Sequence, residues 1–302
     1  MVTPGLVHTP VTPFTRDNRV DFDLYGKLIE FHLKNGADAL ALPMHAGESV
    51  SLTDGERREL LEFAIRQIGG RAPVIAHVSD AGTAIAAARA RHAEEAGAAA
   101  VVATTPYYWT PPPAMVLQHF TGIGSAVRIP FFVYNAPEEM AGTRINADLA
   151  LQLMEKLGHF AGVVDVSLDW QFMVEIVDRA RRPRPAFQLL SGAEYMVSAA
   201  AIGAKGAFSP LAAIAPRLVR QLYDLCRKDQ LFEARAAQEE VAALRQIVRK
   251  AGAASLKAAL RAMGRDCGEP RPPLRPVGEI ERGQLTDALG AMPALRAEPK
   301  GW

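Results

Sequence analysis

The chain has 302 residues, of which 49% are hydrophobic and 22% charged, and its formal net charge is +1. This composition is typical of a globular protein, and the near-neutral charge argues against binding to nucleic acid or to an anionic membrane surface. Two cysteines, Cys226 and Cys267, are too few for a disulfide framework, and we recognise no signal peptide or membrane-spanning run. We therefore expect a cytoplasmic protein without a nucleic-acid or membrane partner.

Short apolar runs alternate with longer amphipathic segments through most of the chain. Near-continuous apolar strands are buried on both faces, as in a parallel sheet covered by helices. Eight strand–helix units in a row predict an α/β fold, a (β/α)8 barrel of the TIM type. The predicted strands are Leu6–Val11, Ala39–Pro43, Val74–Val78, Ala99–Ala103, Ile129–Tyr134, Phe160–Val164, Phe187–Leu190 and Gly206–Phe208.

The helical segments carry polar residues at their starts. Thr53 with Glu56, Asn146 and Thr83 are the predicted caps. The segments between the strands include Asp23–Lys34, Asp54–Gln67, Thr83–Ala96, Ala147–Leu157 and Trp170–Arg179, and after about Pro216 the pattern is purely helical, over Pro216–Arg227, Leu231–Lys250, Ala254–Met263 and Glu281–Ala291. We expect a barrel over residues 1–222 and C-terminal helices packed on it over residues 223–302.

Motifs at the strand ends resemble those of a known enzyme family. They are Thr12-Pro-Phe14, Gly47-Glu48, Thr105-Pro-Tyr-Tyr108, Tyr134-Asn-Ala-Pro137, Ser191-Gly192 and Gly203-Ala-Lys-Gly-Ala-Phe-Ser209, with Lys257-Ala-Ala-Leu260 in the tail. In this order they are similar to the dihydrodipicolinate synthase / N-acetylneuraminate lyase family of class I aldolases. The resemblance implies a (β/α)8 barrel with three C-terminal helices, usually assembled as a tetramer. It also implies a 2-oxo acid bound as a Schiff base on a lysine, without a separate cofactor.

Some of the family's site residues are present by this resemblance. Tyr134 stands where the family has its proton-transfer tyrosine, and Tyr108 matches a tyrosine that reaches a neighbouring subunit's site. Gly47 and Glu48 match the end of the loop that holds the substrate carboxylate. Thr12, Ser191 and Gly192 fall at further substrate-binding positions.

Other family residues are replaced. The lysine position of the family's Gly-Ile-Lys-Glu-Ala-Ser motif falls on Val164, and Met44-His45-Ala46 replaces Gly-Thr-Thr in the carboxylate loop. The family's arginine position falls on Glu139 or Met140. A Schiff base needs an amine with a lowered pKa, which valine cannot supply. Because Lys205 precedes the eighth strand and Lys257 lies in the helical tail, we expect no imine mechanism.

Histidines at the strand ends offer a different chemistry. His45 ends the second predicted strand and His77 the third, at the rim where the side chains of barrel active sites gather. Neutral imidazole can act as a general base or bind a metal, so a divalent ion held by His45 and His77 is one possibility, although their spacing matches no metal motif. His8 lies deeper, with the parity of Thr12, and we interpret it as a core residue.

These observations leave three functions open. The first is a lyase, breaking carbon–carbon or carbon–oxygen bonds of a small polar substrate by acid–base chemistry, with Tyr134, His45 and Tyr108 as catalytic residues. Its substrate-binding residues are Thr12, Glu48, His77, Val164, Ser191 and Gly192, and it has no cofactor. The second is a barrel without activity that binds a small molecule. The third is a pyruvate-dependent aldolase or dihydrodipicolinate synthase, and in each case we expect a homodimer or homotetramer.

Overall fold

The structure is a computed structural model that describes residues 4–138, 143–250 and 254–302. Eight parallel strands close into a barrel in the order of the sequence. The strands are β1 (Leu6–His8), β2 (Ala39–Leu42), β3 (Val74–His77), β4 (Ala100–Thr104), β5 (Phe131–Asn135), β6 (Phe160–Asp165), β7 (Gln188–Ser191) and β8 (Gly206–Ser209). The predicted (β/α)8 barrel is therefore confirmed.

Helices follow the strands, and three further helices form the C-terminal extension. They are α1 (Phe22–Lys34), α2 (Asp54–Ile68), α3 (Thr83–Ala96), α4 (Pro113–Gly124), α5 (Ala147–Lys156), α6 (Trp170–Arg181), α7 (Met196–Ala201), α8 (Pro216–Arg227), α9 (Leu231–Lys250), α10 (Ser255–Ala262) and α11 (Glu279–Ala291). The boundary predicted at residue 222 lies inside α8. None of the helices, as far as the chain is described, is long and apolar enough to cross a bilayer.

Two local predictions about the elements are confirmed and two are wrong. Thr53 and Glu56 form a reciprocal capping box at the start of α2, and the Asn146 side chain caps α5. Thr83, in contrast, is not a cap: Gly82 holds that position, and the Thr83 hydroxyl lies 2.9 Å from Nδ1 of His119. Strand β1 ends at His8 instead of Val11, because Pro10 has no N–H to continue a ladder.

The chain divides into two compact units. One, here named the central unit, comprises Met1–Gly5 and Pro73–Phe208. A row of rings lies at the starts of β5, β6 and β7: Phe131 and Phe160 open β5 and β6, Phe187 directly precedes β7, and Phe120 joins the row from α4, with neighbouring ring centroids 6.2 Å apart. Tilted aromatic pairs at this spacing pack favourably, and they fix the strands whose opposite ends carry the candidate site.

The other unit, here named the terminal unit, comprises Leu6–Ala72 and Ser209–Trp302. It contains β1, β2 and the C-terminal helices. His8 is fully buried, and its Nδ1 lies 3.0 Å from Nδ1 of His32 on α1, so the core interpretation of His8 is confirmed. The prediction that Thr12 shares the strand parity of His8 is wrong, because β1 ends at His8.

Candidate active site

A row of side chains crosses the central unit where β4, β5, β6 and β7 lie next to one another. Tyr134 is in register with Thr104 on one side and with Val164 on the other, and Val164 is in register with Leu190. Residues in register on parallel strands present their side chains to the same face. Tyr134 is buried and Val164 has no exposed surface, so the sequence's best proton-transfer candidate lies directly beside the valine.

Gly192 packs against this row. Its amide donates a hydrogen bond of 2.8 Å to the Asp165 carbonyl oxygen. A Cβ atom at residue 192 would lie 2.5 Å from a methyl group of Val166 and 3.2 Å from one of Val164. Only glycine allows so close an approach, and it lets the backbone that follows β7 pack against the Val164 side chain.

A second hydrogen-bonded group lies on β3 and β4. His77 Nε2 is 2.7 Å from the Ser79 hydroxyl, which also accepts the Thr104 backbone N–H at 2.7 Å. Which of the two groups donates in the contact between His77 and Ser79 depends on the tautomer of the imidazole. His77 is in register with Val102, two residues before Thr104, and so shares the face of the Tyr134 row.

The face opposite this row carries a different set of polar groups. Asn135, Asp165 and Ser191 are in register with one another, and the Asn135 amide donates to Asp165 Oδ1 at 2.7 Å. Burial raises the pKa of Asp165, and hydrogen bonds from Ser167 and Asn135 oppose that rise. A groove of about 270 Å³ reaches Asp165 and Ser191 between Trp170 and Tyr195. Ser191, predicted to bind substrate, is thus on the face opposite Tyr134 and Val164.

The loop after β4 exposes aromatic surface. Tyr108 has 94% of its surface exposed, and Trp109 has 49%. The backbone of Tyr108 is left-handed, with φ of 92°, which is unfavourable for a bulky side chain. The structure therefore displays Tyr108 away from the rest of the described chain, and it brings no other predicted site residue to the exposed ring.

In the terminal unit, the segment after β2 forms two short 3-10 turns, His45–Gly47 and Ser49–Ser51, joined by Glu48. The Thr12 hydroxyl donates to the Gly47 carbonyl oxygen at 2.6 Å. Oε1 of Glu48 pairs with Lys257 Nζ at 2.7 Å, and Oε2 accepts the Arg271 backbone N–H at 2.8 Å. Thr12 and Glu48, predicted to bind substrate, here hold this segment in place, whereas His45 is exposed.

Lys257 is the buried member of the chain's eight lysines, since the other seven are exposed. Burial lowers its pKa, and the nearby Glu48 carboxylate opposes that change. Its position in the helical tail, on α10, gave no sign in the sequence of this pairing with the β2 segment. Sequence reasoning missed Ser79 as well, because it lies beyond the end of β3, where strand parity gives no signal.

Two further expectations concern a metal ion and the family's arginine position. The described residues include no group of three or more His, Cys, Asp or Glu side chains placed to hold a metal ion. Glu139 and Met140, the candidates for the family's arginine position, lie outside the described residues.

Known proteins resemble this chain over almost its whole length. The model of the dihydrodipicolinate synthetase family matches residues 3–292. A 4-hydroxy-tetrahydrodipicolinate synthase of Methylobacterium radiotolerans is 34% identical over 294 residues, which cover 94% of each chain. The crystal structure of a dihydrodipicolinate synthase from Bacillus anthracis superposes with a TM-score of 0.91 at 26% identity, covering 97% of this chain and 99% of that one. Another solved neighbour, described as the first monomeric dihydrodipicolinate synthase variant, has a TM-score of 0.88 at 25% identity and covers 95% of this chain and 96% of its own.

Proposed function

Because this chain belongs to the dihydrodipicolinate synthetase family, we propose that it is a lyase that works without a Schiff base. Its substrate is a small polar molecule, such as a 2-oxo acid, and its chemistry is proton transfer by Tyr134. The observation that carries the proposal is Val164: an apolar, fully buried residue stands in register with Tyr134, where the resemblance puts the imine lysine.

The distribution of lysines supports the absence of an imine. A nucleophilic lysine needs burial or a neighbouring cation to lower its pKa so that the neutral amine is populated. Seven lysines are exposed to water, and the eighth, Lys257, is committed to Glu48 at 2.7 Å and to the Glu269 carbonyl oxygen at 3.1 Å. None of the eight combines burial with an amine that is free to attack a carbonyl group.

Tyr134 and His77 divide the proton transfers in this proposal. The Tyr134 phenol exchanges a proton with the substrate from its place beside Val164. His77, which is hydrogen-bonded to Ser79, assists as a general base on the same face of the strands. His45 is kept as a third candidate because it follows β2, at the rim where the side chains of barrel active sites gather. A divalent metal remains the weaker variant of this scheme.

The exposed loop after β4 supports assembly into a homo-oligomer. A relative singled out as the first monomeric variant is, by that description, set apart from relatives that assemble. Tyr108 and Trp109 expose aromatic surface that a partner subunit would cover. We propose a homodimer or homotetramer formed through this loop, in which Tyr108 contacts the neighbouring copy.

The test combines ligand binding with turnover. Pyruvate and a panel of other 2-oxo acids and their aldol adducts are screened by thermal shift, and every compound that binds is assayed for cleavage or dehydration. For a compound that is turned over, Tyr134→Phe should lower kcat by about 10²- to 10⁴-fold, the usual contribution of a positioned proton-transfer group. Binding without turnover of any compound would favour the alternative of a binding protein. Full activity of Tyr134→Phe would remove Tyr134 from the mechanism.

A further inference from the structure

We propose that Lys257 is a positioning residue, which fixes the rim segment His45–Ser51 through its ion pair with Glu48. This inference rests on the proposed function only in giving the segment a role in the reaction. The physical claim concerns the terminal unit alone: the C-terminal extension sets the conformation of the segment that follows β2.

Glu48 is the junction on which the segment depends. It is at once the C-cap of the first 3-10 turn and the N-cap of the second, and its backbone is left-handed, with φ of 54°. A residue with a Cβ is disfavoured in this conformation unless its surroundings hold it there. The holding contacts are those of its carboxylate, which is buried and bonded through both oxygens, to Lys257 Nζ and to the Arg271 amide.

Lys257 contacts three separate parts of the chain around Glu48. Its ammonium group lies 2.7 Å from Glu48, 3.1 Å from the Glu269 carbonyl oxygen and 4.1 Å from the centre of the Phe14 ring. The Phe14 amide in turn donates to the Cys267 carbonyl oxygen at 3.3 Å. One buried cation therefore joins the segment after β2, the segment after β1 and the chain that follows α10.

The other contacts of the segment do not replace this one. Thr12 holds the Gly47 carbonyl oxygen, Arg57 holds that of Ser49 at 2.8 Å, and Arg271 holds that of Ser51 at 2.9 Å. All three act on backbone oxygens on either side of Glu48, whereas Lys257 is the charge that balances the buried carboxylate. Without it, the buried carboxylate keeps the Arg271 amide but loses its counter-ion, and an uncompensated buried charge favours conformations of the junction that expose Glu48 to water.

The functional consequence lies in His45. It opens the first turn and is exposed, so its imidazole moves with the conformation of the junction three residues later. Lys257 touches neither His45 nor, in the proposed reaction, the substrate. It acts through Glu48, as a support for the position of a candidate site residue.

The experiment measures hydrogen exchange of residues 44–52 and the ring resonances of His45, and neither readout requires a substrate. In Lys257→Met, exchange of this segment should be at least tenfold faster and the His45 resonances should shift, while β5 and β6 keep their protection. Lys228→Met, at an exposed lysine after α8, is the matched control and should change neither readout. Glu48→Gln should show a smaller acceleration, since it keeps the shape and loses the charge.

The double variant Glu48→Met/Lys257→Met distinguishes a positioning role of Lys257 from a general loss of the folded structure. Replacing both charges by apolar groups removes the uncompensated carboxylate, so this variant should fold, and its His45 resonances should still differ from those of the natural protein. If Lys257→Met does not fold, this double variant carries the test. Unchanged exchange and unchanged His45 resonances in a folded variant without Lys257 would overturn the inference, and that outcome is independent of whether Tyr134 proves to be catalytic.

Discussion

The buried pair His8 and His32 predicts that the protein loses stability in mild acid. Their rings share one hydrogen bond of 3.0 Å between the Nδ1 atoms, and neither Nε2 has a partner within the described residues. Burial lowers the pKa of both rings; Arg265 lowers that of His32 further, and the His32 ring and Arg220 that of His8. A proton added to either ring would create a buried charge with no acceptor.

The size of the effect follows from the pKa of His32, which falls to about 3 in the folded protein. An unfolded histidine titrates near 6.5, so below that pH the unfolded state binds a proton that the folded state excludes. Stability is therefore lost as the pH falls from about 6.5 towards 3. Between pH 7 and pH 5, the effect of His32 alone should lower the free energy of unfolding by about 2 kcal/mol. His8 should lower it further, because its pKa is also lowered in the folded protein.

Urea unfolding at pH 7, 6 and 5, followed by tryptophan fluorescence, measures this loss. The variant His8→Leu/His32→Leu has no imidazole to titrate there, so its stability should fall less than that of the natural protein over the same range, by about 2 kcal/mol for His32 and a further amount for His8. His92→Gln, at a half-buried histidine on α3, is the control and should keep the natural pH dependence. An identical pH dependence in the double leucine variant would refute the reasoning.

Two further predictions concern packing and assembly. Gly162→Ala should destabilise the protein by several kcal/mol in the same unfolding assay, because a Cβ there would lie 2.0 Å from the Gln188 carbonyl oxygen. Gly158→Ala is the control and should be nearly neutral, since a Cβ there would have nothing within 4 Å. Equal stabilities of the two variants would mean that β6 and β7 are not so closely packed. Sedimentation at micromolar concentration should find an oligomer that Tyr108→Ala/Trp109→Ala weakens, and a strict monomer would contradict the proposed interface.

The sequence was informative where the structure depends on local periodicity. Near-continuous apolar runs that alternate with amphipathic segments identified the eight strands. Counting parity along a strand failed at His8, because β1 stops there and parity has no meaning beyond a strand's end. Ser191 shows a related limit. Its motif matched the family, yet its register with Asp165 puts its side chain on the face opposite Tyr134 and Val164.

Contacts between distant parts of the chain were beyond prediction. The Arg271 amide bonds to Glu48 across 223 residues of sequence, and Lys257 approaches the same carboxylate from α10. No periodicity or spacing encodes such a pair, since it exists only once the extension has folded onto the segment after β2. From the sequence, Lys257 was predicted to lie in a helical tail away from the site, and Glu48 to bind substrate. In the structure their side chains form an ion pair with one another.

The central claim is that this family member carries out its chemistry without an imine, and reductive trapping tests it most directly. The protein is incubated with pyruvate and sodium borohydride, and its intact mass is measured, with Val164→Lys treated in parallel as a variant that restores a buried amine beside Tyr134. The account predicts that the natural protein gains no covalent adduct. A stoichiometric adduct on any lysine of the natural protein, Lys257 included, would contradict it.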